Sequence, residues 1–257
     1  MINIPRIARK DLNTPFLHVM VQGVNKEYIF YKQEYIKKYL EIIKENKGKY
    51  DFEILAYCIM NNHAHFLVHT EDINEFGKFM QRINFLYAQM YNKNENRCGV
   101  LFRNRYQTEP IHDKKYLINC IKYIHNNPVK AKMVSKCEDY EYSSYNDYMK
   151  NKGIAKCKSM KEIFGENCDY IKLFEQSFDK RFMDIEDKNE ETISDYMLEG
   201  IQEFRKKFSR DIVEIMSDRG VLKELVFFLK ENCGLKYVEI RNFLGISRGT
   251  MESLKLK

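Results

Sequence analysis

Two β-rich runs, residues 52–60 and 63–70, are separated only by Asn61-Asn62. Asparagine tolerates the left-handed backbone that a tight turn demands, so the two runs are expected to fold back on each other as an antiparallel pair. On either side of this hairpin the apolar period changes from two residues to about four. Residues 33–47 carry Tyr35, Ile36, Tyr39, Leu40, Ile42 and Ile43 at helical spacing, and residues 73–91 align Phe76, Phe79, Met80, Ile83, Leu86, Tyr87 and Met90 along one side. Beyond each helix lies one more extended run, residues 16–23 before the first and 100–111 after the second. The order β-α-β-β-α-β predicts an α+β, ferredoxin-like split βαβ domain, with an antiparallel sheet and helices on one face. A further helix is expected from about residue 113 to 127, stopping where Pro128 forbids continuation.

All four prolines (Pro5, Pro15, Pro110, Pro128) fall in the first half, whereas the chain after Lys150 has none and is rich in Lys, Glu, Leu and Ile. That shift predicts a mixed domain over 1–150, a linker with some helix over 151–191, and an all-helical region over 192–257. In the last region, residues 193–208, 211–217 and 221–232 read as helices. Tyr237, Val238, Ile240, Phe243 and Leu244 then form an apolar stripe ahead of a tight turn at Gly245-Ile246-Ser247, and a last helix opens at Arg248. Helix, glycine turn and helix give the outline of a helix-turn-helix, so Arg248 is a candidate DNA contact and duplex DNA a candidate partner of these helices. A helical dimerisation or packing appendage is the other reading of the same segment.

The seven cysteines are odd in number, scattered and never spaced CxxC, which argues against a disulfide framework or a zinc knuckle and for reduced thiols. Pro5, Arg6, Arg9, Lys10 and Asp11 interrupt the few apolar residues at the N-terminus, and no apolar run approaches a membrane span. A soluble, cytoplasmic protein is expected. Residues 1–150 hold 23 Lys/Arg against 17 Asp/Glu, so the whole formal charge of +6 lies there. A modest excess of this kind suits a phosphate-rich partner, though it also suits an ordinary solvated surface.

Chemistry concentrates in MNNHAHFLVHT. Residues two apart on a strand face the same side, so His63 and His65 project together while Ala64, Phe66 and Val68 face the other way. Two imidazoles so placed can grip one metal ion; satisfied sheet histidines are the alternative. In YIHNNPVKA, Tyr123 and Asn127 lie four apart on a helix and share a face. If that face meets the histidines, Asn127 can complete a His-His-amide metal site and Tyr123 can attack a phosphate polarised there. Nitrogen and oxygen ligands without thiolate suit Mg²⁺ or Mn²⁺. The bland counterpart is a Tyr123 that caps a core and an Asn127 that merely ends a helix. Arg103 and Arg105 in LFRNRY are candidate DNA-phosphate contacts, or two solvated arginines. Phe102 and Tyr106 offer stacking surfaces for unpaired bases, or belong to the core, and Tyr106 is a second candidate nucleophile.

Over roughly residues 8–150 the chain resembles the single-tyrosine HUH transposases, in particular the REP-associated tyrosine transposases. The matching pieces are FLHVMVQGVNKEYIF at 16–30, AYCIMNNHAHFLV at 56–68, GVLFRNRYQ at 99–107, YIHNNPVKAKMV at 123–134 and DYEYSSYNDY at 139–148. Gln22 stands where family members often have arginine, and Asn61 where many have proline. The resemblance implies metal ligands His63, His65 and Asn127, and nucleophile Tyr123. It implies a transposase that cuts and rejoins single-stranded DNA through a 5′-phosphotyrosine, acting as a homodimer on hairpin or repeat ends. A domesticated nucleic-acid-binding regulator that keeps the fold without transposition is the alternative function, and a phosphodiesterase that forms no tyrosyl adduct is a third.

Overall fold

The computed structural model describes residues 14–150, 152–155, 158–165, 168–175, 190–233, 235 and 237–254. Pro5, Arg6, Arg9, Lys10, Asp11, Lys255 and residues 176–189 of the linker expected over 151–191 lie outside them. The chain divides into two compact units, residues 1–178 and 179–257.

The first unit is built on a four-stranded sheet of β1 (Phe16–Gln22), β2 (Glu53–Ile59), β3 (His63–His69) and β4 (Gln107–Ile111). Its order is β2-β3-β1-β4 and every neighbouring pair is antiparallel. Helix α1 (Gln33–Lys47) joins β1 to β2 with β3 lying between them, and α2 (Ile73–Asn94) joins β3 to β4 with β1 between. Each βαβ unit is thus split by a strand of the other, which is the ferredoxin-like arrangement that the periodicity predicts. The Asn61-Asn62 turn closes the hairpin through the Met60 amide, which donates to the His63 carbonyl oxygen at 2.8 Å.

One sheet face is apolar and carries the main core. Tyr39 of α1 meets Phe66 of β3 with ring centroids 6.5 Å apart. Around Tyr39 pack Phe30, Tyr87 and Phe102. Aromatic rings of this size dominate the burial of a small domain, and their polar tips need partners. The Tyr39 hydroxyl donates to Asn84 Oδ1 at 2.8 Å, and that of Tyr87 to the Ile29 carbonyl oxygen at 2.6 Å. Phe102 is therefore a core residue and not a base-stacking surface.

Two expectations change. Of the run 100–111, only Gln107–Ile111 enters the sheet. Residues 101–106 instead cross the end of β1, where the Val24 amide donates to the Leu101 carbonyl oxygen and the Arg103 amide to that of Gln22. Asn104, at φ +61°, takes the left-handed conformation that ends an extended run. Pro110 sits in β4, an edge strand, where a missing amide costs least. Helix α3 (Lys114–Lys130) begins on Asp113, whose carboxylate accepts from the Tyr116 amide, but it does not stop at Asn127. Pro128 lies inside its last turn, and Ala131, Lys132 and Met133 close that turn by donating to Asn127, Val129 and Pro128 at 2.9 Å. Proline deletes one hydrogen bond there, and the carbonyls around it still find donors.

Much of the expected linker packs into the first unit. After α4 (Tyr145–Met149), the Asp147 carboxylate accepts from the Ile154 and Ala155 amides at 2.8 and 3.1 Å, and both residues are buried. Helix α5 (Lys158–Phe164) is anchored at its start by Glu53 of β2, which accepts from the Lys158 and Ser159 amides. Burial works against the Glu53 charge, but these bonds and that of the Ser159 hydroxyl hold its carboxyl below the ordinary value. Phe174 of α6 (Tyr170–Glu175) packs on His125 and Tyr148, each with centroids 5.0 Å away.

The second unit is helical: α7 (Glu190–Phe208), α8 (Ile212–Ser217), α9 (Arg219–Cys233), α10 (Tyr237–Leu244) and α11 (Arg248–Leu254). Its own core joins Met197, Ile201 and Phe204 of α7 to Leu225, Val226 and Leu229 of α9, with Ile240, Met251 and Leu254 from the last two helices. Gly245, at φ +65°, makes the turn between α10 and α11, a conformation that glycine adopts without steric cost. The Ser247 hydroxyl accepts from the Thr250 amide at 3.0 Å and caps α11.

Candidate active site

The sheet face opposite the aromatic core carries the histidines. Residues directly paired across antiparallel strands share a face, so Gln22 and Met20 of β1 lie beside His63 and His65 of β3, and Cys58 of β2 lies on the other side of His65. The His63 and His65 rings are 4.7 Å apart at 84°, edge to face. His63 is 8% exposed and His65 is fully buried. The Nδ1 of His63 is 2.6 Å from Asn62 Oδ1, an acceptor, so that nitrogen carries the proton and the ring's lone pair is at Nε2.

Helix α3 covers this face. Tyr123 presents its ring to His65 at 5.7 Å and 88°, and to His18 at 6.1 Å. Asn127 follows one turn later, buried, its amide nitrogen donating to the Tyr123 carbonyl oxygen at 3.2 Å. That bond directs the amide nitrogen to the helix, so any lone pair the side chain offers is on Oδ1. The ammonium of Lys130, in the turn that continues through Pro128, stands 5.7 Å from the Tyr123 ring centroid. His63, His65 and Tyr123 thus form one cluster, and Asn127 adjoins it through Tyr123.

Among the described residues, no three His, Cys, Asp or Glu side chains are arranged to hold a metal ion. A metal at this place would need an amide or substrate oxygen beside the two imidazoles. Cys58, next to His65, does not change the donor set, because burial pushes its thiol well above the ordinary value and keeps it protonated. Two imidazoles and the Asn127 amide therefore remain a nitrogen and oxygen set, which fits Mg²⁺ or Mn²⁺.

At the His63 end of the face, Arg103 reaches Gln22, its Nη1 standing 3.4 Å from Gln22 Oε1. Arg103 and Arg105 are both exposed. Arg248, at the start of α11, belongs to the second unit and is exposed. Tyr106 packs edge-on against Phe76 of α2, away from the histidine face. His125 is a core residue: its Nε2 is 2.8 Å from Ser144 Oγ, and burial pushes its pKa down to about 3, so it stays neutral. His69 stacks on Phe16, and His112 is exposed.

Sequence reasoning missed His18. It is fully buried in β1, and its Nε2 lies 3.1 Å from His65 Nδ1. A histidine inside the otherwise apolar stretch ahead of Gln22 in FLHVMVQ is the signal that marks it, but its partner is visible only once β1 and β3 are set in register.

Residues 14–127 match the family model described as "Transposase IS200 like". A Haemophilus influenzae protein described as a REP-associated tyrosine transposase is 29% identical over 143 residues, covering 51% of this chain and 78% of that protein. A solved structure of a REP-associated tyrosine transposase bound to a REP hairpin aligns with 57% of this chain and 86% of its own, at a TM-score of 0.47 and 18% identity. Residues 14–127, which carry the histidine-bearing sheet, are thus similar to the IS200-like transposases.

Proposed function

We propose that this protein is a transposase that cuts and rejoins single-stranded DNA, with Tyr123 as the nucleophile and with His63, His65 and Asn127 holding Mg²⁺ or Mn²⁺. The observation that carries this reading is the packing of Tyr123 against His65, which joins the two motifs on one buried face. Tyr123 Oη forms a bond to the scissile phosphorus as the P–O3′ bond breaks. The phenol gives up its proton, the leaving oxygen takes one up as a 3′-hydroxyl, and the 5′ end stays on Tyr123 as a phosphotyrosine. A phenol, with an unperturbed pKa of about 10, is a weak nucleophile at neutral pH. A divalent cation at the imidazoles would supply charge that polarises the phosphate and steadies the phenolate. Lys130 adds positive charge beside the same ring. The phosphodiester energy is retained in the adduct, so a second 3′-hydroxyl can reverse the step and join strands.

Arg103, at the His63 end, and the exposed Arg105 would contact the DNA backbone, and hairpin or repeat ends acted on by a homodimer are the substrate proposed. Helices α10 and α11, read as a helix-turn-helix with Arg248 at the front of the second, would hold duplex DNA. The cytoplasm is the place for such work, and among the described residues no helix is long and apolar enough to cross a membrane.

Tyr123→Phe removes one oxygen and tests the assignment. The variant is expected to fold and bind hairpin DNA like the wild type, yet to give no protein–DNA adduct on denaturing gels. Peptide mapping of the wild-type adduct should find the nucleotide on Tyr123. An undiminished adduct in the variant, or a nucleotide on Tyr106, would overturn the proposal.

A further inference from the structure

The inner end of the histidine cluster contains a group that the proposed reaction does not use. His18 and His65 are both fully buried, their rings stack at 5.2 Å and 30°, and His18 Nε2 lies 3.1 Å from His65 Nδ1. One proton is shared across that contact, and its position decides what His65 can do. If His65 Nδ1 carries the proton, His65 donates to His18 and its lone pair sits at Nε2, where it can bind a metal. If His18 Nε2 carries it, His65 accepts, and a neutral His65 then has its proton on Nε2 and no lone pair there to offer.

A second residue bears on the choice. In the pairing of β1 with β4, Glu109 stands directly across from His18, and it is buried at 6% exposure. Directly paired residues share a face and have Cβ atoms about 5 Å apart. The negative charge of a carboxylate on the paired strand, acting without a hydrogen bond to that nitrogen, favours a proton on His18 Nδ1, which makes His18 Nε2 an acceptor and sends the shared proton to His65 Nδ1. With His18 and His65 fully buried, bulk water is not available to take over either role.

We propose that His18 is a positioning residue that fixes the ring and tautomer of His65, with Glu109 setting the direction of their hydrogen bond, so that His65 presents Nε2 as a metal ligand. This rests on the reading of His65 as a ligand. A group accepting from a ligand's second nitrogen commonly carries tenfold to a hundredfold in metal affinity.

The test uses the full chain without DNA. Nitrogen NMR of the histidine rings in the metal-free protein reports the His65 tautomer, and Mn²⁺ titration reports affinity. Wild type is expected to hold the proton on Nδ1. His18→Leu should shift His65 toward the Nε2–H form and weaken Mn²⁺ binding about tenfold to a hundredfold, whereas His18→Gln, whose Oε1 can accept at similar reach, should return to within about threefold of wild type. Glu109→Gln, the mildest change, keeps the question decidable if His18→Leu does not fold, and it should shift the tautomer in the same direction. Unchanged tautomer and affinity in a folded His18→Leu or Glu109→Gln protein would overturn the proposal. So would equal losses in His18→Leu and His18→Gln, which a purely packing role produces. If Mn²⁺ binding in wild type does not depend on His63 and His65, the metal reading fails by itself, and the metal-free tautomer still decides what His18 does.

Discussion

His63 and His65 face a covered sheet surface, not the open polar one that alternation along a strand suggests. His65 is fully buried beneath α3, so its replacement removes both a proposed ligand and a packed ring. His63→Ala and His65→Ala are each expected to lower divalent-metal-dependent cleavage about a hundredfold or more. His65→Ala should also cost about 1–3 kcal/mol of stability, because it leaves a small cavity and breaks the bond with His18. Cleavage assays run below each variant's melting temperature separate the two effects, and full cleavage by either folded variant would contradict the assignment. The pair itself was legible in the sequence, because a period of two puts i and i+2 on one side of any strand. His18 was not legible, since the apposition of residues 47 positions apart is fixed by strand pairing and not by spacing.

At the level of elements, α3 carries most of the site and shows where local rules run out. The sharing of a face by Tyr123 and Asn127 follows from helical geometry alone and was readable. The end of the helix was not, because Pro128 removes only one amide and the carbonyls around it are met by Ala131, Lys132 and Met133. That extra turn has a chemical result, for it carries Lys130 back along the helix to lie over the Tyr123 ring. A cation beside the ring accelerates the step only by what it adds as phenolate charge develops, and about 1 kcal/mol of that kind corresponds to roughly fivefold in rate. Lys130→Met is therefore expected to slow adduct formation several-fold while leaving Mn²⁺ affinity unchanged; an unaltered adduct rate would remove Lys130 from the chemistry. Residues 101–106 failed for the converse reason. Their alternating aromatics resemble a strand, but Phe102 is drawn into the core between α1 and α2, and Asn104 turns the chain.

For the whole molecule, the proline-free, helix-rich composition after Lys150 marked a change of architecture. The boundary lies later than composition suggests, because Asp147 and Glu53 tie the following segments to the first unit by hydrogen bonds that no periodicity reveals. A cut inside α9, at Val221 for example, would run through the second unit's core, so a truncation belongs at residue 178. The protein ending there is expected to form the Tyr123 adduct on a short single strand within about threefold of the full chain, and to bind duplex DNA about tenfold more weakly, a loss of about 1.4 kcal/mol. Unchanged duplex affinity would assign the second unit a different role. Among the described residues its core cluster runs from Met197 to Leu254, so replacing the unit takes that core with it as a whole. On the proposed reading, such a chain can change its address while keeping its scissors: grafting another helical unit after residue 178 would redirect where strands are cut without altering how.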